Sequence, residues 1–195
     1  MTPLKIGACL APDEIAAHHD WLFDADRDLE LQGFSSHRGL TTELEDRVAA
    51  AKVALDGCKG RIGMHGPFEG LDMANEDPEM QPLITARFLK ALEVADRVGA
   101  RQMVLHSPYT RWYAWNFHNY DGYAESVLER VHAIMAPVVK AAEEKGITLV
   151  IENILDVDPA TRRAMVDSFE SDAIAISIDT GHAHLARRMS RVDGD

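Results

Sequence analysis

The fold is decided by the stretch ITLVIEN at residues 147–153, a short apolar run that ends in a carboxylate. Similar runs recur along the chain, and together they predict strands over residues 4–10, 29–34, 61–64, 102–105, 147–151 and 174–178. A longer segment with helical periodicity follows each run, although the sixth, in residues 187–195, is barely begun. This alternation predicts an α/β protein whose parallel sheet is covered by helices.

Local signals mark several helix boundaries. Asp77-Pro78 and Asp158-Pro159 each offer an N-cap acceptor followed by proline at the first helical position. Thr42 and Glu45 have the spacing of a capping box. Gly146 is placed to end a helix just before the strand that starts at residue 147.

The composition is that of a globular protein, with 46% hydrophobic and 27% charged residues among 195. We expect a single domain over residues 1–195. No apolar run reaches the roughly 18 residues that span a bilayer, and the N-terminus lacks the pattern of a secretory signal. Cys9 and Cys58 are interpreted as small buried residues in a reducing compartment. These features predict a cytoplasmic location.

The formal net charge of −12 argues against a broad nucleic-acid-binding surface, because such surfaces neutralise phosphates with Lys and Arg. It does not exclude a local basic groove. A small-molecule partner is therefore expected and nucleic acid is not.

Polar residues stand where the predicted strands end. In chain order they are Glu30 and Gln32, His65, His106, Glu152 and Asn153, and Asp179 and His182. The carboxyl ends of parallel strands form the active face of barrel folds, so these side chains are expected to share one face.

Glu152, Asp179 and His182 are the predicted metal ligands. Carboxylate oxygen and imidazole nitrogen together suit Zn, Mn, Co or Mg. A purely structural interpretation is also open: Glu152 would pair with a loop arginine, Asp179 would cap the next helix, and His182 would interact with the helix dipole.

His65 and His106 occupy matching places in successive strand–helix units, each followed by a short segment that contains proline. They could bind the metal, hydrogen-bond a substrate hydroxyl, or simply be satisfied polar residues. The sequence alone leaves these alternatives open.

An aromatic segment, residues 109–120, follows the fourth strand and should lie over the active face. Trp112 and Trp115, together with Glu30, are predicted to contact substrate, because aromatic rings beside polar groups suit a sugar ring. The alternatives are a loop that packs its own aromatic residues and a contact between copies of the chain.

At these motifs the chain resembles the xylose-isomerase-like TIM-barrel superfamily, which includes sugar isomerases and epimerases and the endonuclease IV type of DNA-repair enzyme. The most specific matches are VIEN at 150–153 and DTGH at 179–182. The resemblance implies an α/β (β/α)8 barrel, of which this sequence covers the first six βα units. An open doubly wound sheet is the structural alternative, but no Gly-rich phosphate loop follows the first strand.

The two branches of the family imply different ligand sets. In the isomerase branch, Glu152 and Asp179 would bind one divalent metal, with His182 at substrate or at the edge of the metal site. In the endonuclease branch, His65, His106, Glu152, Asp179 and His182 would match a multi-zinc cluster. Both sets take further ligands from strands seven and eight, so we expect these residues to be part of a longer chain.

The favoured function is a metal-dependent isomerase or epimerase of a sugar-like hydroxy-carbonyl substrate. Proton transfer would pass through an enediolate, with Glu152 and His182 as catalytic residues. The alternatives are metal-dependent phosphodiester hydrolysis and a non-catalytic or truncated relative. If the product ends at Asp195, the apolar edges of the first and sixth strands should pair with another copy.

Overall fold

The computed structural model describes residues 4–192, with side chains described through Arg188. Its sheet has six parallel strands in the order of the sequence. They are β1 (Gly7–Leu10), β2 (Asp28–Leu31), β3 (Ile62–His65), β4 (Gln102–His106), β5 (Thr148–Glu152) and β6 (Ile174–Ser177). This arrangement confirms the expected first six strands of a TIM barrel.

Helices follow every strand. They are α1 (Pro12–Ile15), α2 (His19–Phe23), α3 (Leu44–Ala54), α4 (Gln81–Arg97), α5 (Arg111–Asn116), α6 (Tyr123–Lys145), α7 (Pro159–Asp167) and α8 (Thr180–Val192). A short 3-10 turn, Ala16–His18, joins α1 to α2. The predicted start of a sixth helix or loop falls within α8, except for residues 193–195, which lie outside the described residues.

The first two strands are shorter than predicted. Pairing of β1 with β2 begins only at Gly7 and Asp28, so Leu4 and Ile6 find no strand partner and stay exposed. Phe34 is buried, but it lies in the loop after β2 rather than in the strand. The apolar runs therefore extend beyond the residues that pair in the sheet.

Two of the predicted helix boundaries are confirmed by the structure, and two are wrong. The Asp158 carboxylate accepts a hydrogen bond from the Ala160 backbone N–H, and Gly146 ends α6 at a φ of 62°. The prediction at Asp77 was wrong, because its oxygens accept from residues 79–81 in a turn and α4 begins only at Gln81. The capping box at Thr42 was also wrong, since α3 begins at Leu44 after Glu43.

The two faces of the sheet have different roles. Alternate strand residues, among them Leu31, Met64, Leu105 and Ile151, belong to the core shared with the helices. Because successive side chains point to opposite faces of a strand, the residues between them face the concave side. The last residue of each of β3, β4 and β5 lies on that side.

Within the described residues, β1 and β6 are the edges of the sheet. Ile178, just past the end of β6, is 70% exposed, and Leu185 of α8 is also exposed. None of the helices in residues 4–192 combines the length and the apolar character that crossing a bilayer requires.

Gly66 lets the end of β3 approach β4 closely. Its N–H donates to the Val104 carbonyl at 2.8 Å, and a Cβ at this position would lie 2.5 Å from Leu105 Cδ2 and 2.8 Å from Val104 O. We expect Gly66→Ala to lower the free energy of unfolding by about 1–3 kcal/mol, the usual range for overpacking. Urea unfolding measures this change.

Gly63→Ala, in the same strand, is the matched control. An added Cβ there would meet its nearest neighbours at 3.7 Å, an ordinary contact. Equal stability losses for the two variants would contradict the close approach at Gly66.

Candidate metal centre

Three neighbouring strands bring His65, His106 and Glu152 together. Each of these residues ends its strand, and His106 is the direct partner of Glu152 in the register of β4 and β5. One ligand atom from each residue lies within 4.8 Å of the other two, and all three side chains are partly buried. Such a group of two imidazoles and a carboxylate could hold a metal ion.

The ring of His65 is fixed by its own turn. Its Nδ1 lies 2.8 Å from the Gly66 carbonyl oxygen, an acceptor, so Nδ1 carries the proton and donates. Nε2 is then the unprotonated nitrogen of the neutral ring. This is the hydrogen bond that typically orients a metal-binding histidine and sets its tautomer.

His106 is held in its uncharged form. Burial lowers its pKa to about 4, and the electrostatic effects of His65 and His182 act in the same direction. The Phe68 ring stacks on the imidazole at a centroid distance of 4.4 Å. The contact of 3.8 Å between His106 Nε2 and Glu152 Oε2 is therefore not an ion pair at neutral pH. Neutral imidazole is the form that binds metals.

Glu152 has an unfavourable environment for a carboxylate. Burial raises its pKa, and the negative charges of Asp179 and Glu30 add to this effect against the opposing influence of His65 and His182. In residues 4–192, the basic side chain within 4 Å of Glu152 is His106, not the loop arginine that a purely structural role would require. A bound cation would offset this negative charge.

Asp179 and His182 lie beside this group but outside it. Asp179 Oδ1 accepts a hydrogen bond from the His182 backbone N–H at 2.7 Å, so this carboxylate does cap α8. Both residues are close enough to influence the pKa of Glu152, and His182 also influences the pKa of His106. The metal-binding roles of Asp179 and His182 stay predictions.

A cavity of about 420 Å³ adjoins the group at His106. Phe68, Trp112 and Tyr113 contribute to its aromatic walls, and Asp72 also lines it. The lining residues, all in the described part of the chain, include no lysine or arginine. The cavity can accept an uncharged ring more readily than a phosphate group.

The aromatic segment after β4 has residues in two of its predicted roles, lining a possible substrate cavity and packing against its own aromatic residues. Trp112 reaches the cavity wall, while Tyr109, Tyr113 and Phe117 pack against one another at centroid distances of 6.0–6.2 Å. Trp115 is exposed and contacts the Arg111 guanidinium; it does not line this cavity. The predicted contact of Trp115 with substrate has no counterpart in the cavity.

Residues 24–193 match the sequence profile of the family described as xylose isomerase-like TIM barrel. The chain belongs to this family. The uncharacterized protein MJ1311 of Methanocaldococcus jannaschii is 24% identical over 131 residues, which cover 64% of this chain and 43% of that protein. The present chain thus spans less than half of that curated relative.

Solved structures share the fold. The TTHB071 protein of Thermus thermophilus, soaked with ZnCl2, is 21% identical with a TM-score of 0.69, covering 92% of this chain and 68% of that one. A D-tagatose 3-epimerase-like protein is 19% identical with a TM-score of 0.69, covering 92% of this chain and 66% of that one. The family assignment inferred from the strand-end motifs is confirmed.

Glu30 lies near the group, although its carboxylate is engaged locally. Its Oε1 accepts from Gln32 Nε2 at 3.1 Å and from Cys9 Sγ at 3.7 Å. Cys9 is exposed rather than buried as predicted, because β1 is an edge of the described sheet, while Cys58 is partly buried. Desolvation and the Glu30 charge raise the Cys9 pKa to about 11, so the thiol stays protonated. The contact of Glu30 with substrate stays a prediction.

His106 should make the metal-free protein sensitive to acid. In the unfolded chain its pKa is near 6.5 and in the folded protein about 4, so between these values the unfolded state binds more protons. The contribution of His106 to the free energy of unfolding is therefore fully present above pH 6.5 and is lost as the pH is lowered toward 4. We expect His106→Gln to flatten this part of the profile of thermal unfolding midpoints, measured with a chelator present.

His37→Gln, which removes a histidine that is not a member of the group, on the loop after β2, should keep the wild-type profile. Identical slopes for wild type and His106→Gln between pH 6.5 and 4 would show that the ring is not held neutral by the fold.

Proposed function

We propose that this protein is a divalent-metal-dependent isomerase or epimerase of a sugar or sugar-like hydroxy-carbonyl compound. The observation that carries the proposal is the convergence of His65, His106 and Glu152 beside an aromatic-walled cavity. The family assignment and the likeness to a D-tagatose 3-epimerase-like protein support it. Because the chain spans 43% of its curated relative, the activity is proposed for the protein as a whole.

The residues of the group fit a transition-metal ion. Two imidazoles with one carboxylate suit Zn, Mn or Co better than Mg, which prefers an all-oxygen shell. Two ligand atoms on one tetrahedral zinc ion lie about 3.3–3.6 Å apart, given bonds of about 2.0–2.2 Å. Ligand atoms as far as 4.8 Å apart therefore have to approach each other by about 1 Å on binding. A relative soaked with ZnCl2 also supports zinc.

The ion would polarise the substrate carbonyl and so acidify the proton on the adjacent carbon. Glu152, at the end of β5, is the residue that removes and returns this proton. His182 orients substrate oxygens from the first turn of α8. Phe68 and Trp112 shield the reacting centre from water.

The cavity favours a neutral ligand. Its aromatic walls can contact the apolar faces of a sugar ring, and Asp72 can accept hydroxyl hydrogen bonds. Asp72 would repel a phosphate, and the part of the wall formed by described residues supplies no lysine or arginine to balance it. We therefore propose that the part of the substrate bound here is an unphosphorylated polyol or sugar ring.

Metal-assisted phosphodiester hydrolysis is the second candidate. The specific observation in its favour is the pairing of His65 and His106 with Glu152, because both histidines belong to the multi-zinc ligand set that the endonuclease branch implies. The net charge of −12 and the absence of lysine and arginine among the described residues of the cavity wall oppose it.

Glu152→Gln tests the proposed role directly. The substitution keeps the size of the side chain and removes its charge, so zinc affinity should fall at least about tenfold and sugar isomerisation should be lost. The thermal unfolding midpoint should change little. Zinc binding is measured by competition with a chromophoric chelator, and isomerisation by chromatography of neutral ketose and aldose sugars.

Glu93→Gln, which alters an exposed carboxylate on α4, is the matched control. Wild-type activity and zinc content in Glu152→Gln would reject the role of Glu152. Cleavage of an abasic-site oligonucleotide, with no turnover of any sugar, would replace the first candidate by the second.

A further inference from the structure

The side chain of Asn153 joins the ends of two neighbouring strands. The ladder of β5 and β6 ends at the pair Glu152 and Ser177. Beyond it, Asn153 Oδ1 accepts from the Asp179 backbone N–H at 2.8 Å, and Asn153 Nδ2 donates to the Asp179 carbonyl at 2.9 Å. One amide thus binds both backbone groups of Asp179, just beyond the last pair of the ladder.

This amide connects the two carboxylates at the strand ends. Asn153 directly follows Glu152, and its side chain is hydrogen-bonded to the backbone of Asp179. Asp179 in turn accepts the N–H of His182 through its side chain. Because Asn153 is only 7% exposed, its hydrogen bonds meet little competition from water.

The loop that follows Asn153 is anchored separately. Asp156 accepts from the Ile154 backbone N–H at 3.0 Å through one oxygen, and from Arg162 at 2.8 Å through the other. The side chains of this ion pair are 2% and 4% exposed. Since the backbone is held on both sides of Asn153, its amide is presented in a fixed direction.

The two carboxylates at these adjacent strand ends repel each other, and the hydrogen bonds of Asn153 oppose their separation. We propose that Asn153 is a positioning residue that holds Asp179 beside Glu152, and thereby raises the affinity of the site for a divalent cation. The inference rests on the proposed metal-dependent function. It assigns to Asn153 a role in metal affinity although Asn153 is not itself a proposed metal ligand.

A double-mutant cycle separates positioning from general stability. Asn153→Ala, Asp179→Asn and the double variant are prepared in the 195-residue chain, and zinc dissociation constants are measured with a chromophoric chelator. Asparagine at position 179 can still cap α8. Asn153→Ala alone should weaken zinc binding about tenfold, the lower range for residues that orient ligands. In the Asp179→Asn background the loss should be less than about twofold, because the positioned carboxylate is gone.

Ser168→Ala is the stability control. It removes the hydrogen bond of 2.8 Å between His132 and the Oγ of Ser168, which directly follows the last residue of α7. This variant should lower the thermal unfolding midpoint without changing zinc affinity. Asn153→Ser replaces Asn153→Ala if the alanine variant does not fold.

Unchanged zinc affinity in Asn153→Ala, or an equal loss in both backgrounds, would overturn the positioning role. If Asp179→Asn leaves zinc affinity unchanged, the inference fails while a site formed by His65, His106 and Glu152 stands. If the wild-type 195-residue chain binds no zinc, the inference fails for these residues, whereas the activity proposed for the whole protein is decided separately by its turnover of neutral sugars.

Discussion

The alternation of side chains along parallel strands is the constraint on which the site depends. Because each strand places its core residues on the helix side, the positions between them must face the concave side of the sheet. His65, His106 and Glu152 are the last such positions on three consecutive strands. A slip of one residue in any of these strands would send its polar side chain into the apolar core.

Charge at the strand ends gives the site its chemistry. Glu152 is partly buried beside Asp179 and Glu30, while burial keeps His106 neutral. The fold thus gathers groups that are unfavourable together in the absence of a cation and suitable as ligands in its presence. Asn153 and the buried Asp156–Arg162 pair hold the loop that follows Glu152 against the repulsion.

Much of the fold could be predicted from the sequence, since apolar runs and helical periodicity act locally. The strand-end positions of Glu152 and His106 followed from the same pattern. The sequence could not show that Phe68 stacks on His106, because that contact depends on how a loop folds over the sheet. The prediction at Asp77 failed because a turn and a helix start share the same Asp-Pro signal, and here Asp77 forms a turn that precedes α4.

The central claim is that His65, His106 and Glu152 form one metal centre. Anomalous diffraction from a crystal of the protein grown with zinc tests it most directly. We expect a zinc peak about 2.0–2.2 Å from a ring nitrogen of each histidine and from a carboxylate oxygen of Glu152. A zinc ion bound elsewhere, or the absence of bound zinc while the three side chains keep their places, would contradict the account.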